Sequence, residues 1–259
     1  MRSNMLSFRD IRQLVKQKKA RDEQGLFVIE GRKLFSEAPP EQIRQVILTD
    51  RFAREYPELL AKIPAGADVM TGVGEERFAQ ISDTKSPQGI LTVLSFGGQE
   101  KAAELEGDGL YLLLEHLQDP GNAGTILRTA EAAGADGVFL TEGSVDLYAP
   151  KTIRSTMGSI FRVPHRYVPD ASAALAEFRA RGITSYAAHL KGRSSYTEPS
   201  YRGGTVFVIG NESRGITDEM AGQTDCLIRI PMAGRVESLN AAMAAGILMF
   251  EAKRQRELQ

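Results

Sequence analysis

Three stretches of this chain set glycine beside polar side chains directly after an apolar run: "EHLQDPGNAGTILRTA" from residue 115, "NESRGI" from 211 and "PMAGRVESLN" from 231. Glycine lets a backbone approach a ligand closely, and the neighbouring Asn, Asp, Glu, Arg and Ser side chains can orient it by hydrogen bonds. The chemistry such loops can do is the binding and alignment of a small ligand. One such loop is commonplace; three in one domain point to a single composite site. Other chemistries find less support. No G-x-G-x-x-G and no G-x-x-x-x-G-K-[ST] occurs, so neither a dinucleotide fold nor a P-loop is expected. His116, His165 and His189 lack metal-ligand spacing and a nucleophile motif, and no serine sits in a G-x-S-x-G setting. No metal is expected.

The elements that must position these loops are legible as apolar runs. From Leu110 onward "LYLLL", "GVFL", "RVPHRYV", "ITSYAA", "TVFVIG" and "CLIRI" alternate with helix-compatible segments such as 123–133 and 171–181. This predicts an α/β domain with a mostly parallel sheet covered by helices, whose ligands bind beyond the carboxyl ends of the strands. Each of the three loops follows such a strand. Upstream, "SFRDIRQLVKQKKARDEQG" reads as one helix, with Ser7 as its N-cap and Gly25 as its stop. "LFVIE", "QVILT" and "GILTVLSF" read as strands separated by helical pieces, making a smaller α/β domain. The expected organisation is a first domain over 1–97, a linker over 98–109 and a second domain over 110–259.

Composition narrows the partners. The 259 residues carry a net charge of -1, yet residues 1–33 hold nine Lys/Arg against four acids. Such a stretch either attracts a polyanion such as RNA or is a solvated face. Cys226 is the single cysteine, which excludes an internal disulfide and fits a reducing, cytoplasmic setting. The N-terminal stretch lacks an apolar core for a secretory signal; its amphipathic, acid-poor character leaves a transit peptide as the alternative. The run from Ala241 to Phe250 is too short for a membrane span, so it is expected to be buried in protein.

On residue type alone, Asn122 and Ser238 read as helix caps, Arg128 as a surface charge and Glu212 as a loop carboxylate. Taken together with their surroundings they read differently. "DPGNAGTILRTAEAAG", "VIGNESRGI" and "IPMAGRVESLNAAMAAGI" resemble, in order and spacing, the three motifs of the SpoU or TrmH-like RNA ribose 2'-O-methyltransferases of the SPOUT superfamily. The resemblance covers essentially all of 110–256. "FVIEGRKLFSEA" and "SDTKSPQGILTV" more loosely resemble the family's ribosomal-protein-like α/β domain that binds the RNA substrate.

This resemblance implies a deep trefoil knot, a homodimer formed through the knotted domain, and S-adenosyl-L-methionine as methyl donor with no metal. It implies that Gly210, Ile230 and Leu239 contact the cofactor through the backbone. Asn122, Arg128, Glu212, Ser238 and Asn240 match the family's catalytic positions. Lys151, Arg154 and Arg162, in "YAPKTIRSTMGSIFRVP", are expected to face RNA, Lys151 and Arg162 equally well being surface charges. The family's suggested base is Arg128. Deprotonating an arginine, which holds its proton far above neutral pH, costs roughly 9 kcal/mol, so a charged Arg128 clamping a phosphate is the better expectation. The implied substrate is ribosomal RNA, because the extra domain is absent from many tRNA members. A tRNA ribose methyltransferase and a non-catalytic RNA-binding ribosome-assembly factor are the alternatives.

Overall fold

The computed structural model describes residues 5–97, 104–236 and 238–258; most of the expected linker, 98–103, lies outside them, as do Arg2 and Glu237. The chain forms two compact units, 1–97 with 146–161, and 98–145 with 162–259. The segment 146–161, which the sequence reading placed in the second domain, thus packs with the first unit.

In the first unit, β1 (Leu26–Glu30), β2 (Ile43–Thr49), β3 (Asp68–Val73) and β4 (Ile90–Ser95) form a sheet in the order β1-β4-β2-β3. β4 runs antiparallel to both β1 and β2, and β3 joins parallel to β2. β3 was read as helical in the sequence. It is an edge strand with only one buried residue, Val73, and is interrupted by Gly72, so it carries no continuous apolar signal. Ile11, Leu14, Val28, Ile47, Phe78 and Val93 are among the side chains closing the core.

The expected N-terminal helix is in fact two, Phe8–Lys16 and Lys18–Gln24, broken where Gln17 adopts an extended conformation. Ser7 and Asp10 cap the first reciprocally, and Gly25 ends the second in the left-handed region that its missing side chain permits. The break frees carbonyls, and the Arg21 guanidinium takes those of Leu14 and Val15 while pairing with Asp146. Arg21 is therefore 4% exposed and contributes nothing to a basic surface.

The second unit is built on seven strands: β5 (Leu110–Leu114), β6 (Gly137–Thr141), β7 (His165–Val168), β8 (Thr184–Ala188), β9 (Ser194–Ser195), β10 (Thr205–Ile209) and β11 (Cys226–Arg229). Their order is β7-β6-β5-β10-β8-β11-β9, and every neighbouring pair is parallel. β5, β6 and β10 are buried along their whole length, which is why they read as unbroken apolar runs rather than alternating ones. Each Leu of β5 withdrawn from water contributes about 1.5–3 kcal/mol.

After β5 the chain runs through the helix Pro120–Ala133 to β6 on one side; after β10 it runs through Asp218–Gln223 to β11 on the other. The β5/β10 boundary is thus a switch point, where the two following loops diverge and open a crevice at the strand ends. The last helix, Ala241–Glu257, packs against Pro120–Ala133, with Gly246 close enough to Thr129 that an added Cβ would lie 3.5 Å from its methyl group. Ala241, Ala242 and Ala245 are buried as the run of small residues requires. No helix among the described residues is long and apolar enough to cross a membrane.

Candidate active site

The crevice begins with how β5 and β10 end. Glu115, 5% exposed, accepts hydrogen bonds from the Thr217 backbone N–H at 3.1 Å and hydroxyl at 2.7 Å. Thr217 in turn caps the helix Asp218–Gln223 through the Met220 N–H. A buried carboxylate is costly unless its oxygens are satisfied, so this bond locks the far end of the β10 loop to the end of β5. His116 follows with φ 51°, a left-handed conformation that costs a non-glycine residue about 1–3 kcal/mol. The conformation is held from three sides: its N–H donates to the Thr141 hydroxyl, and its carbonyl accepts from the Asn211 and Gln118 side-chain amides.

Glu212 starts a chain of hydrogen bonds that joins all three loops. Its carboxylate accepts from the backbone N–H of Gln118 at 3.1 Å and of Asp119 at 2.8 Å, and from the Asn122 amide at 3.0 Å. The Asn122 carbonyl oxygen then accepts from the Asn240 amide at 2.9 Å. Asn240 spends its own oxygen on the N–H groups of Ala242 and Met243, capping the last helix. The caps are therefore Asp119 and Asn240, not Asn122 and Ser238. Asn122 is left with both ends of its amide fixed between two loops.

Partial burial raises the Glu212 carboxyl, but the Asn122 amide and the backbone N–H groups of Asp119 and Gln118 outweigh it, and the group lies below its ordinary 4.5. It stays ionised at neutral pH and is a poor proton acceptor. Because the folded value is depressed, its stabilisation is fully present above the unfolded value of 4.5 and is lost as pH falls through the lower folded one. Glu212→Gln is expected to cost about 1 kcal/mol at neutral pH, at the low end for bonds to a charged group because the carboxylate is exposed to water. Urea unfolding of both forms checks this: the difference should hold from neutrality to mild acid and shrink as pH falls below 4.5.

A cavity of about 350 Å³ opens beside this network, lined from the β8, β10 and β11 loops by Leu190, Gly210, Ile230, Met232, Ser238 and Leu239 among others. Gly210 is decisive for its shape. An added Cβ would lie 2.2 Å from the Gly215 carbonyl carbon and 2.3 Å from the Ile216 nitrogen. The loop doubles back on itself there, with Asn211 and Gly215 exchanging backbone hydrogen bonds and the Asn211 side chain accepting from Ser213 and Arg214 N–H. Only glycine fits so close a return.

Of the sequence-predicted residues, the structure brings together Asn122, Glu212 and Asn240, and lines the cavity with Gly210, Ser238, Ile230 and Leu239. Arg128 lies on Pro120–Ala133, exposed, outside the cavity lining and with no partner among the described residues. Arg162 is held by Glu131 at 2.5 and 3.2 Å within the second unit. In the first unit Lys151 is exposed, and Arg154 pairs with Asp83 at 2.9 Å. Asp83 belongs to the loop that Glu30 anchors by accepting from Ser82, Asp83 and Thr84. His165 is fully buried, which lowers its affinity for a proton. No His/Cys/Asp/Glu group among the described residues is placed to hold a metal.

Sequence reasoning missed Glu115, Thr217 and Asn211. Glu115 had a signal, an acid directly ending an unbroken apolar strand. Asn211 stood in the quoted "NESRGI" loop, but its bond to His116 could not be read there, and Thr217 had no signal, because both roles depend on which loops the sheet order makes neighbours.

Known proteins resemble this chain in sequence and fold. Residues 109–250 match the SpoU rRNA Methylase family, and residues 7–92 match the MRM3-like substrate binding domain. The 23S rRNA (guanosine(2553)-2'-O)-methyltransferase RlmP of Bacillus subtilis is 33% identical over 242 residues, 90% of each chain. Among solved structures, an AdoMet-bound rRNA methyltransferase from Sinorhizobium meliloti is 36% identical with a TM-score of 0.83, covering 95% of this chain and 94% of its own. The SpoU methyltransferase AviRb from Streptomyces viridochromogenes, in complex with the cofactor AdoMet, is 26% identical with a TM-score of 0.86, covering 96% and 97%.

Proposed function

This chain belongs to the SpoU rRNA Methylase family, and from that premise we propose that it transfers a methyl group from S-adenosyl-L-methionine to a ribose 2'-hydroxyl of ribosomal RNA. The observation that carries the reading is the Glu212–Asn122–Asn240 chain of hydrogen bonds, which ties three glycine-bearing loops into one site beside a cavity. The cavity suits the donor: its volume falls within the roughly 300–1,000 Å³ usual for small ligands, Gly210 clears a backbone wall, and Ile230 and Leu239 offer apolar surface to an adenine. When bound, the donor supplies a sulfonium methyl as electrophile.

The protein's own work is alignment and charge. Glu212 is a positioning residue that fixes Asn122, and Asn122 with Asn240 presents a rigid polar edge. Ser238 contributes a hydroxyl at the cavity wall. Arg128, charged and without a protein partner among the described residues, is the group available to clamp an RNA phosphate and orient the adjacent 2'-hydroxyl, whose proton passes to phosphate or water. Lys151, Arg154 and Arg162 remain proposed RNA contacts, with Arg154 and Arg162 having to share their guanidinium with Asp83 and Glu131.

The expected trefoil knot, homodimer and cytoplasmic setting belong to the same proposal. Asn240 lies after β11 yet bonds Asn122 after β5, so the last segment returns across β8 and β10 to the first loop; the knot itself rests on the family resemblance. Met243 and Phe250, 60% and 47% exposed, stand two helical turns apart with Gly246 and Ile247 between them, an apolar stripe suited to a second copy. Sedimentation at twice the chain mass tests it. A ribosomal substrate and a single cysteine fit the cytoplasm.

The activity is tested by labelled methyl transfer from S-adenosylmethionine to undermodified total RNA, followed by size separation and nucleoside analysis. Label in a 2'-O-methylated nucleoside of ribosomal RNA is expected. Label in tRNA would move the substrate, label on a base would overturn the ribose chemistry, and donor binding without transfer to RNA or assembling subunits would leave an assembly factor.

A further inference from the structure

The first unit carries its own open concavity, about 410 Å³, lined by Arg32, Lys33, Tyr56, Glu58 and Gln88 among others. Within it the Arg32 guanidinium lies 4.4 Å over the Tyr56 ring centroid. The ring is itself steadied by fully buried Phe52, centroid to centroid 5.0 Å. Arg32 is exposed and forms no ion pair among the described residues. Its backbone N–H occupies the Gln88 carbonyl oxygen at 2.9 Å, which leaves the Gln88 amide NH2 without a partner among the described residues.

A guanidinium held over an aromatic ring has one side against the ring and can offer its other side to a ligand. Planar groups stack on such a face, and splayed bases of RNA are recognised this way. The surrounding polar groups decide between a base and a phosphate. A phosphate presents acceptors only and would meet the Glu58 carboxylate with repulsion. A nucleobase presents donors and acceptors along one edge, matching Glu58 as acceptor and Gln88 as donor, with Lys33 left for the attached backbone.

We propose that the Arg32–Tyr56 stack is a platform for one unpaired nucleobase of the RNA, an inference that rests on the RNA-modifying reading above and adds where the substrate's single-stranded part is held. The test uses the full chain with two fluorescein-labelled RNAs of equal length, a stem-loop and a blunt duplex, read by anisotropy. Stacking contributes about 1–3 kcal/mol per base, so at about 1.4 kcal/mol per tenfold the stem-loop should bind at least about fivefold tighter than the duplex. Arg32→Lys keeps the charge and removes the plane. It should abolish that preference while leaving the salt dependence of binding unchanged, and Lys33→Gln should weaken both RNAs alike. With 4-thiouridine in the loop, irradiation should crosslink the peptide holding Tyr56. Equal binding of the two RNAs by the native chain, or an Arg32→Lys variant that keeps the preference, overturns the platform. Binding of S-adenosylhomocysteine, measured in parallel, keeps the two readings apart: its absence with the loop preference intact would strike the methyltransferase reading alone.

Discussion

Gly210→Ala should remove S-adenosylmethionine binding almost entirely while a neighbouring glycine replaced in the same way does nothing. The added methyl would sit 2.2 to 2.3 Å from Gly215 and Ile216 backbone atoms, about 1 Å inside any contact real Cβ atoms make, and backbone cannot rotate away as a side chain can. Relief requires opening the 210–216 return, which breaks the paired Asn211–Gly215 hydrogen bonds and withdraws the cavity wall. Overpacking of this kind costs about 3 kcal/mol at the upper end of its usual range, which is about a hundredfold in affinity if the donor-competent loop bears it. Gly234, in the loop after β11, has nothing within 4 Å of its would-be Cβ, so Gly234→Ala is the matched control. Calorimetric titration with S-adenosylhomocysteine, together with thermal unfolding of each variant, checks the pair. Near-native binding by Gly210→Ala would mean that this loop does not wall the donor site.

The contrast between these two glycines shows where sequence ends and structure begins. Both stand in polar, glycine-bearing loops after apolar runs; the motif resemblance singles out Gly210, but residue type and spacing do not show the close backbone return that makes it irreplaceable. The strands themselves were legible because β5, β6 and β10 are buried on both faces and keep unbroken apolar runs, and the switch point follows from the strand order. β3 was not, because an exposed edge strand carries no such signature. The break at Gln17 was hidden too: Ile11, Leu14 and Val15 keep helical spacing up to it, and the extended turn is sustained by Arg21 reaching back to free carbonyls and across to Asp146, a partner 125 residues away. Asn122, Glu212 and Asn240 could be picked out by motif, but residue type alone suggested a helix cap for Asn122 and a loop carboxylate for Glu212. Their actual work, a relay of hydrogen bonds across loops 90 and 118 residues apart, is a property of sheet order.

That relay also separates two kinds of contribution that a motif cannot. Glu212 and Glu115 are acids whose oxygens are occupied by loop N–H, amide and hydroxyl donors, so each holds loops in place. Glu212 is held below its ordinary proton affinity, the opposite of what a general base at neutral pH needs, and both carboxylates are engaged in holding loops. On the proposed reading the proton of the attacking hydroxyl leaves by another route, and the side chain proposed to organise that route is Arg128, unpaired among the described residues.

Arg128→Lys is then expected to lower the rate of methyl transfer by about a hundredfold, the scale seen when one preorganised donor at a reacting centre is lost, while leaving donor affinity unchanged. The two halves of this result come from different observations. Arg128 does not line the cavity, so cofactor binding has no reason to respond. Lysine keeps the positive charge but loses the planar fork that grips two phosphate oxygens at once, so RNA affinity should fall little and the orientation of the hydroxyl a great deal. Single-turnover kinetics with saturating RNA isolate that step from binding. The pH-rate profile of the native chain adds an independent check. If arginine itself gave up a proton, the rate would keep climbing well into the alkaline range; a phosphate or water acceptor beside a permanently charged Arg128 gives a flat profile above neutrality. A lysine variant with near-native single-turnover rates would remove Arg128 from the clamp and leave Asn122, Asn240 and Ser238 to orient the ribose unaided.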